Sequence, residues 1–222
     1  MNEFNFLDYD LPVKIQYITG KNYQFIENYV YLHQTKFEIL VNEFRSIEFL
    51  PEYNFQLQDF SFKKLLNSRV NGYHPILTSK DGNCLYHSIS ILISGDEKRS
   101  YDIKFAMIFV MIKFSKFFKL VLNKYGYDLS FETIIEKSSN LSEWGDELNI
   151  LGLSLLFCRP IYSYTESSDL FSNPCLSESA PLTIALFQNH FTALVKYDKH
   201  ACLFKPKNNQ LKGLHNIRIN VF

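Results

Sequence analysis

The sequence predicts an α+β domain in which helices come first and a mainly antiparallel sheet comes last. Three observations carry this. A segment dense in turn formers, Ser79-Lys80-Asp81-Gly82-Asn83, runs straight into an apolar stretch over residues 84–93 that stops at Gly95. Long aromatic-rich runs of helical period precede Pro160, and short apolar or β-branched runs follow it. A helix packed beside a sheet is the layer arrangement that such an order allows.

The composition supports one well-formed core. At 222 residues a chain can bury roughly 70% of its unfolded surface. Hydrophobic residues are 46% and charged residues 21%, with aromatics high at 16%, which excludes a disordered protein. Lys plus Arg equals Asp plus Glu at 23 each, so no global basic field favours a nucleic acid or an anionic membrane as partner. The N-terminus lacks the basic start and apolar run of a secretory signal. The longest apolar stretch, residues 105–112, lies between Lys104 and Lys113 and falls far short of the roughly 20 residues that cross a bilayer. The expectation is a chain without membrane insertion, placed in the cytoplasm, or in the host cytosol if it comes from a pathogen. Cys84, Cys158, Cys175 and Cys202 form no C-x-x-C pair, which fits neither a zinc knuckle nor a disulfide scaffold. Without a Gly-rich phosphate loop or a metal-ligand cluster, no cofactor and no metal is expected.

Along the chain, residues 22–45 carry Ile26, Val30, Phe37, Leu40, Val41 and Phe44 close to helical period and predict one amphipathic helix. Pro51 and the polar residues that follow interrupt it, so residues 1–55 read as an N-terminal helical extension, 56–205 as the main domain and 206–222 as a C-terminal tail. The extension's apolar stripe is expected to pack on the core rather than await a partner. A helix begins at Cys84. A long one is expected over residues 97–123, ending at Gly126, and another from about Ser142 to Leu156, opened by the acidic run Glu143-Trp144-Gly145-Asp146-Glu147. Strands are expected over 161–164, 182–187 and 191–197. The last two are joined by Gln188-Asn189-His190 as a tight hairpin, giving a closing β-meander. Trp144 and the Phe-rich helix over 105–122 read as core.

The chemistry points to Cys84. A thiol becomes a good nucleophile when a helix N-terminus and an imidazole favour its thiolate. Asp81-Gly82-Asn83 places Cys84 at the start of a helix, and Gly82 can adopt backbone angles that aim successive N–H groups outward. Those groups, with the Asn83 or Asp81 side chain, form a candidate oxyanion site. A free cysteine is more often a small buried apolar residue, but a packing cysteine has no need of Asp-Gly-Asn before it.

The ten residues Asp81-Gly82-Asn83-Cys84-Leu85-Tyr86-His87-Ser88-Ile89-Ser90 resemble the signature of the ovarian-tumour (OTU) family. Two further blocks are similar to that family and stand in family order. Residues 181–195 give an aliphatic strand, a short turn and His190-Phe191. Residues 144–153 with Arg159-Pro160-Ile161-Tyr162 give a helix and the next strand. The resemblance covers about residues 70 to 200. It implies a papain-like α+β fold with the nucleophile at a helix N-terminus and the base on a C-terminal strand. It also implies cysteine-dependent hydrolysis of the isopeptide bond at the ubiquitin C-terminus. On that resemblance Cys84 attacks the carbonyl, His190 shuttles the proton, and Asp81 with Gly82 and Asn83 shapes the oxyanion site. The implied partner is ubiquitin or polyubiquitin, or a ubiquitin-like modifier.

The other histidines have plainer readings. His87 packs one turn after Cys84, His33 lies on the first helix, His74 precedes Pro75 in a loop, and His200 and His215 lie in polar C-terminal segments. A third residue normally orients the imidazole. Many family members carry Asp or Asn two residues after the histidine, where this chain has Thr192. Asp198 is too far along the strand to serve. The candidate orienters are Thr192, Asn189 and Asp81. Two rival readings stand beside the deubiquitinase: an OTU-fold module that binds ubiquitin without turnover, and a cysteine protease that cleaves peptide bonds, as in polyprotein processing.

Overall fold

The computed structural model describes residues 14–47, 72–166 and 169–196. A 3-10 turn, Ile15–Tyr17, leads into helices α1 (Tyr23–Leu32) and α2 (Gln34–Arg45). The Asn22 side chain caps α1 by accepting from the Phe25 N–H at 3.0 Å. The single helix expected over 22–45 is therefore two, broken at His33 (φ −108°, ψ 19°). Neither Gly nor Pro marks that break in the sequence. It lets Ile26 and Val30 on one helix, and Phe37, Leu40, Val41 and Phe44 on the next, all reach the core. Phe37 stacks on Phe109 at 5.0 Å and meets Phe105 edge-on at 4.7 Å. These side chains share one hydrophobic cluster with the helix that begins at Cys84. The boundary near 55, the 206–222 tail, Cys202, His200 and His215 lie outside the described residues.

Helix α3 (Cys84–Ser94) is buried throughout residues 84–93 and ends at Gly95, whose φ of 85° is the left-handed cap. The helix expected over 97–123 is again two, α4 (Ser100–Lys113) and α5 (Ser115–Tyr125), turning at Phe114 (φ −105°, ψ 29°). Residues 103–112 of α4 are all buried, as a helix apolar on every face must be. A short helix not foreseen, α6 (Phe131–Ser138), is capped by Ser130 accepting from the Thr133 N–H.

Helix α7 (Glu147–Phe157) starts later than expected. The Asp146 carboxylate accepts from the Leu148 and Asn149 N–H groups, and the Asn149 side chain answers to the Asp146 N–H. That capping box fixes the start and leaves residues 140–145 as a loop. Trp144 lies in this loop and is 57% exposed, against the core position expected for it. The reason is that Gly145 makes the inward contact: a Cβ there would stand 2.3 Å from a Leu85 methyl, so backbone fills the place the indole would need.

The sheet holds β1 (Tyr73–Ile76), β2 (Ile161–Thr165), β3 (Leu170–Ser172), β4 (Leu182–Phe187) and β5 (His190–Lys196), in the order β1-β5-β4-β2-β3. Strands β1 and β3 were not expected, and His74 lies in β1 rather than in a loop. The expected meander is also corrected. β2 and β4 pair in parallel, Ile161 opposite Leu182, while the other pairings are antiparallel. Between β4 and β5, Gln188 (φ 49°) and Asn189 (φ 61°) both take left-handed backbone, as a two-residue turn of type I′ demands. Phe187 and His190 close the hairpin. Helix α3 packs on β5 and β4 on one side and on α4 on the other. Among the described residues no helix is long and apolar enough to cross a membrane.

Phe37→Ala is expected to destabilise the fold by about 3–5 kcal/mol, the usual cost of truncating a buried phenylalanine. A urea titration measures it. A loss below about 1 kcal/mol would show that the helical pair α1–α2 does not share the core.

Candidate active site

The turn before α3 is held from two sides. Gly82 has φ +87°, and a Cβ on it would collide with the Ser142 backbone, whose carbonyl carbon would be 2.6 Å away. Both the backbone angle and the close approach of residues 140–145 require glycine here. The Asp81 carboxylate accepts from the Asn83 N–H at 2.8 Å and contacts His87 Nε2 at 3.0 and 3.1 Å. His87 Nδ1 lies 3.7 Å from the Glu97 carboxylate, which in turn accepts from the Ser79 N–H at 2.7 Å and its hydroxyl at 2.6 Å. The Asp81–His87 contact thus ties the turn to the first turn of α3, and Glu97 holds Ser79 at its start. Burial pushes the Asp81 carboxyl up, but the Asn83 N–H and His87 outweigh it and hold it below the usual carboxylate range. His87 is buried, as the sequence suggested, but its partner is Asp81 in the turn before α3.

Cys84 is the first residue of α3 and is 5% exposed. Its sulfur accepts from the Phe191 N–H at 3.4 Å. Burial raises the thiol above its ordinary value, and the N–H groups of Phe191, Leu85 and Cys84 itself pull the other way without overcoming it. The helix N-terminus acts in the expected direction, but desolvation is larger.

His190 opens β5, one residue from the N–H that holds the sulfur. Its Nε2 lies 2.9 Å from the Thr78 hydroxyl, and that hydroxyl lies 2.7 Å from the Phe191 carbonyl. The carbonyl can only accept, so the one Thr78 proton goes to it. The Thr78 oxygen then accepts from the imidazole Nε2–H.

Thr78, just past β1 and 3% exposed, was missed by sequence reasoning. The bond spans 112 positions, and only its place beside the Pro75-Ile76 strand could have drawn attention to it. The three expected orienters have other surroundings. The Thr192 hydroxyl donates to the Ile76 carbonyl at 2.6 Å, Asp81 holds His87, and Asn189 is an exposed turn residue. Asn83 is buried, its N–H is taken by Asp81, and its side-chain oxygen faces inward to Lys104 Nζ at 2.8 Å. The structure places Gly82, Asn83 and Cys84 at the start of α3, with Phe191 against the sulfur and His190 and Thr78 joined beside it.

The family model described as "Vertnin, OTU domain" matches residues 75–141, which include Cys84. Among solved structures, the chain is similar to the OTU domain of OTUD1 at 15% identity and a TM-score of 0.51, covering 64% of this chain and 97% of that one. It is also similar to the viral OTU domain protease from Dera Ghazi Khan virus, at 21% identity and a TM-score of 0.46 over 58% of this chain and 85% of that one. The Hazara virus OTU, solved bound to ubiquitin, matches at 19% identity and a TM-score of 0.44 over 57% and 82%. No curated protein sequence matches the chain. The likeness to the OTUD1 domain shows that the chain has the OTU α+β fold, and the family-model match falls on the segment that carries the turn before Cys84.

Proposed function

We propose that this OTU domain is a thiol-dependent deubiquitinase that hydrolyses the isopeptide bond at the ubiquitin C-terminus. The observation that carries the reading is the disposition of Cys84, Thr78 and His190 about one residue. The Phe191 N–H holds the sulfur, and the Phe191 carbonyl holds the hydroxyl that orients the imidazole. Ubiquitin enters through the resemblance of residues 81–90 to the OTU signature.

In this reading the His190 imidazole takes the thiol proton as Cys84 Sγ bonds to the carbonyl carbon. The C=O pair moves onto oxygen, and N–H groups at the start of α3, which lack intrahelical partners, face the charge that develops. Collapse breaks the C–N bond, the His190 imidazolium gives its proton to the departing amine, and a thioester remains. Water, deprotonated by His190, then releases the carboxylate and restores the thiol. Thr78 acts throughout as the acceptor for Nε2–H. Thiol chemistry is suited to a reducing compartment, and Cys84, Cys158 and Cys175 are all free, so the cytoplasm belongs to the same reading. A second reading, a ubiquitin-binding module without turnover, is favoured by one observation: Cys84 is 5% exposed, and that burial raises its thiol against ionisation.

A ubiquitin C-terminal electrophile probe should form a covalent adduct with the wild type and none with Cys84→Ala, while His190→Ala should lose hydrolysis and keep a cooperative melt. Wild-type binding without any adduct would favour the second reading. Thr78→Val should lower kcat/KM by roughly 10- to 150-fold, the 1.5–3 kcal/mol that a hydrogen bond to a charged group contributes. It should do so with a larger effect than Asp81→Ala or Thr192→Val, and the opposite ranking in parallel assays would remove Thr78 from the role. Because burial raises the Cys84 pKa, its thiolate is scarce at neutral pH in the free enzyme. Alkylation by iodoacetamide, read by mass spectrometry, should therefore climb through the alkaline range above that of an ordinary thiol. A plateau already reached at pH 7 would indicate a preformed thiolate–imidazolium pair.

A further inference from the structure

Lys104 of α4 is 0% exposed and is the sole Lys, Arg, Asp or Glu in the buried class among the described residues. Its Nζ donates to the Asn83 side-chain oxygen at 2.8 Å and to the main-chain carbonyls of Asn140 and, at 3.4 Å, Glu143. It also lies 4.9 Å from the centre of the Tyr86 ring. All three donors are used, and none reaches a carboxylate. Burying an ammonium against neutral acceptors costs several kcal/mol more than filling the same space with an apolar chain. What the charge supplies is a fixed point between two walls of the site. One wall is the Asp81-Gly82-Asn83 turn that leads into Cys84. The other is the 140–145 loop, whose Ser142 backbone presses on Gly82 and whose Gly145 presses on Leu85.

We propose that Lys104 is the positioning residue of the oxyanion turn, clamping the Asn83 side chain and the 140–143 carbonyls so that the first N–H groups of α3 are held at the reacting carbonyl. The Asn83 N–H is taken by Asp81, and its side chain makes no cap on α3. The clamp is strongest while Lys104 keeps its proton, because the neutral amine has one N–H fewer and no charge to draw the carbonyls in. Burial lowers its pKa to about 8, with Asp81 and Glu143 opposing the fall. The remaining titratable neighbour on the facing helix is Tyr86, which burial pushes far above the usual tyrosine range, with Asp146 and Cys84 adding to the shift. Tyr86 therefore does not titrate in the same window. The clamp should loosen as pH rises through about 8, well below the range in which an exposed lysine titrates.

The catalytic part of this inference rests on the deubiquitinase reading, so the test pairs an activity readout with one that needs no substrate. The first is kcat and KM on a fluorogenic ubiquitin amide from pH 6.5 to 10, for wild type, Lys104→Met and Lys104→Arg, with a melting curve for each. The second is the Asn83 side-chain amide resonance, followed by 15N NMR over the same range. The wild-type Asn83 signal should titrate with a midpoint near 8, and the titration should vanish in Lys104→Met. The Met variant should lose at least tenfold in kcat with KM little changed, along with the alkaline fall in rate that accompanies the Asn83 titration. Lys104→Arg, always charged, should retain more activity and show no such fall. An Asn83 signal that stays flat across the range overturns the proposal, as does a folded Met variant with the wild-type rate and pH profile. If the wild type turns over no ubiquitin substrate, the deubiquitinase reading falls, and the Asn83 titration alone upholds or overturns the clamp.

Discussion

The backbone of Phe191 is the point on which the site depends. Its N–H holds the Cys84 sulfur and its carbonyl holds the Thr78 hydroxyl, which in turn accepts from His190. Three side chains from a helix start, a strand end and a hairpin are thus referred to one peptide segment of β5. The strand is a good place for such a reference, since Phe191 pairs with Leu186 of β4 and the β1 pairing begins two residues on, at Ala193. Helix α3 is buried between this sheet and α4, so the sulfur cannot drift without moving the core.

The same burial that gives the site its rigidity works against ionisation. The Cys84 thiol is pushed up, Lys104 is pushed toward losing its proton, and the Asp81 carboxyl is held low only because the Asn83 N–H and His87 compensate it. Charge in this site is therefore controlled by which groups are desolvated, more than by the α3 N-terminus alone.

The corrections to the secondary structure share one cause. Period and propensity are properties of a short window, and both breaks, at His33 and Phe114, fall at residues with no local breaker. The chain turns there because Phe37, Phe105 and Phe109 must meet across α2 and α4. Trp144 is exposed because Gly145, with no side chain, makes the inward contact. The β2–β4 pairing is parallel because β3 folds out to the sheet edge before the chain returns. None of these can be read from neighbours a few positions away.

By itself the sequence determined the α+β class, the helix beginning at Cys84, the hairpin ending at His190 and the need for Gly82, because turn chemistry and hydrophobic period act over a few residues. Only the tertiary structure decided what each of those residues touches. Thr78 and not Thr192 reaches the imidazole, although Thr192 shares its strand, because the Thr192 hydroxyl is already given to Ile76 across the β1 pairing. Asp81 turns to His87 on the helix that follows it, and Lys104 arrives from α4 to hold Asn83. These partners are 6 to 116 positions apart. A side chain's hydrogen-bond capacity is spent on whichever group packing brings within 3 Å, which one chain position cannot announce about another.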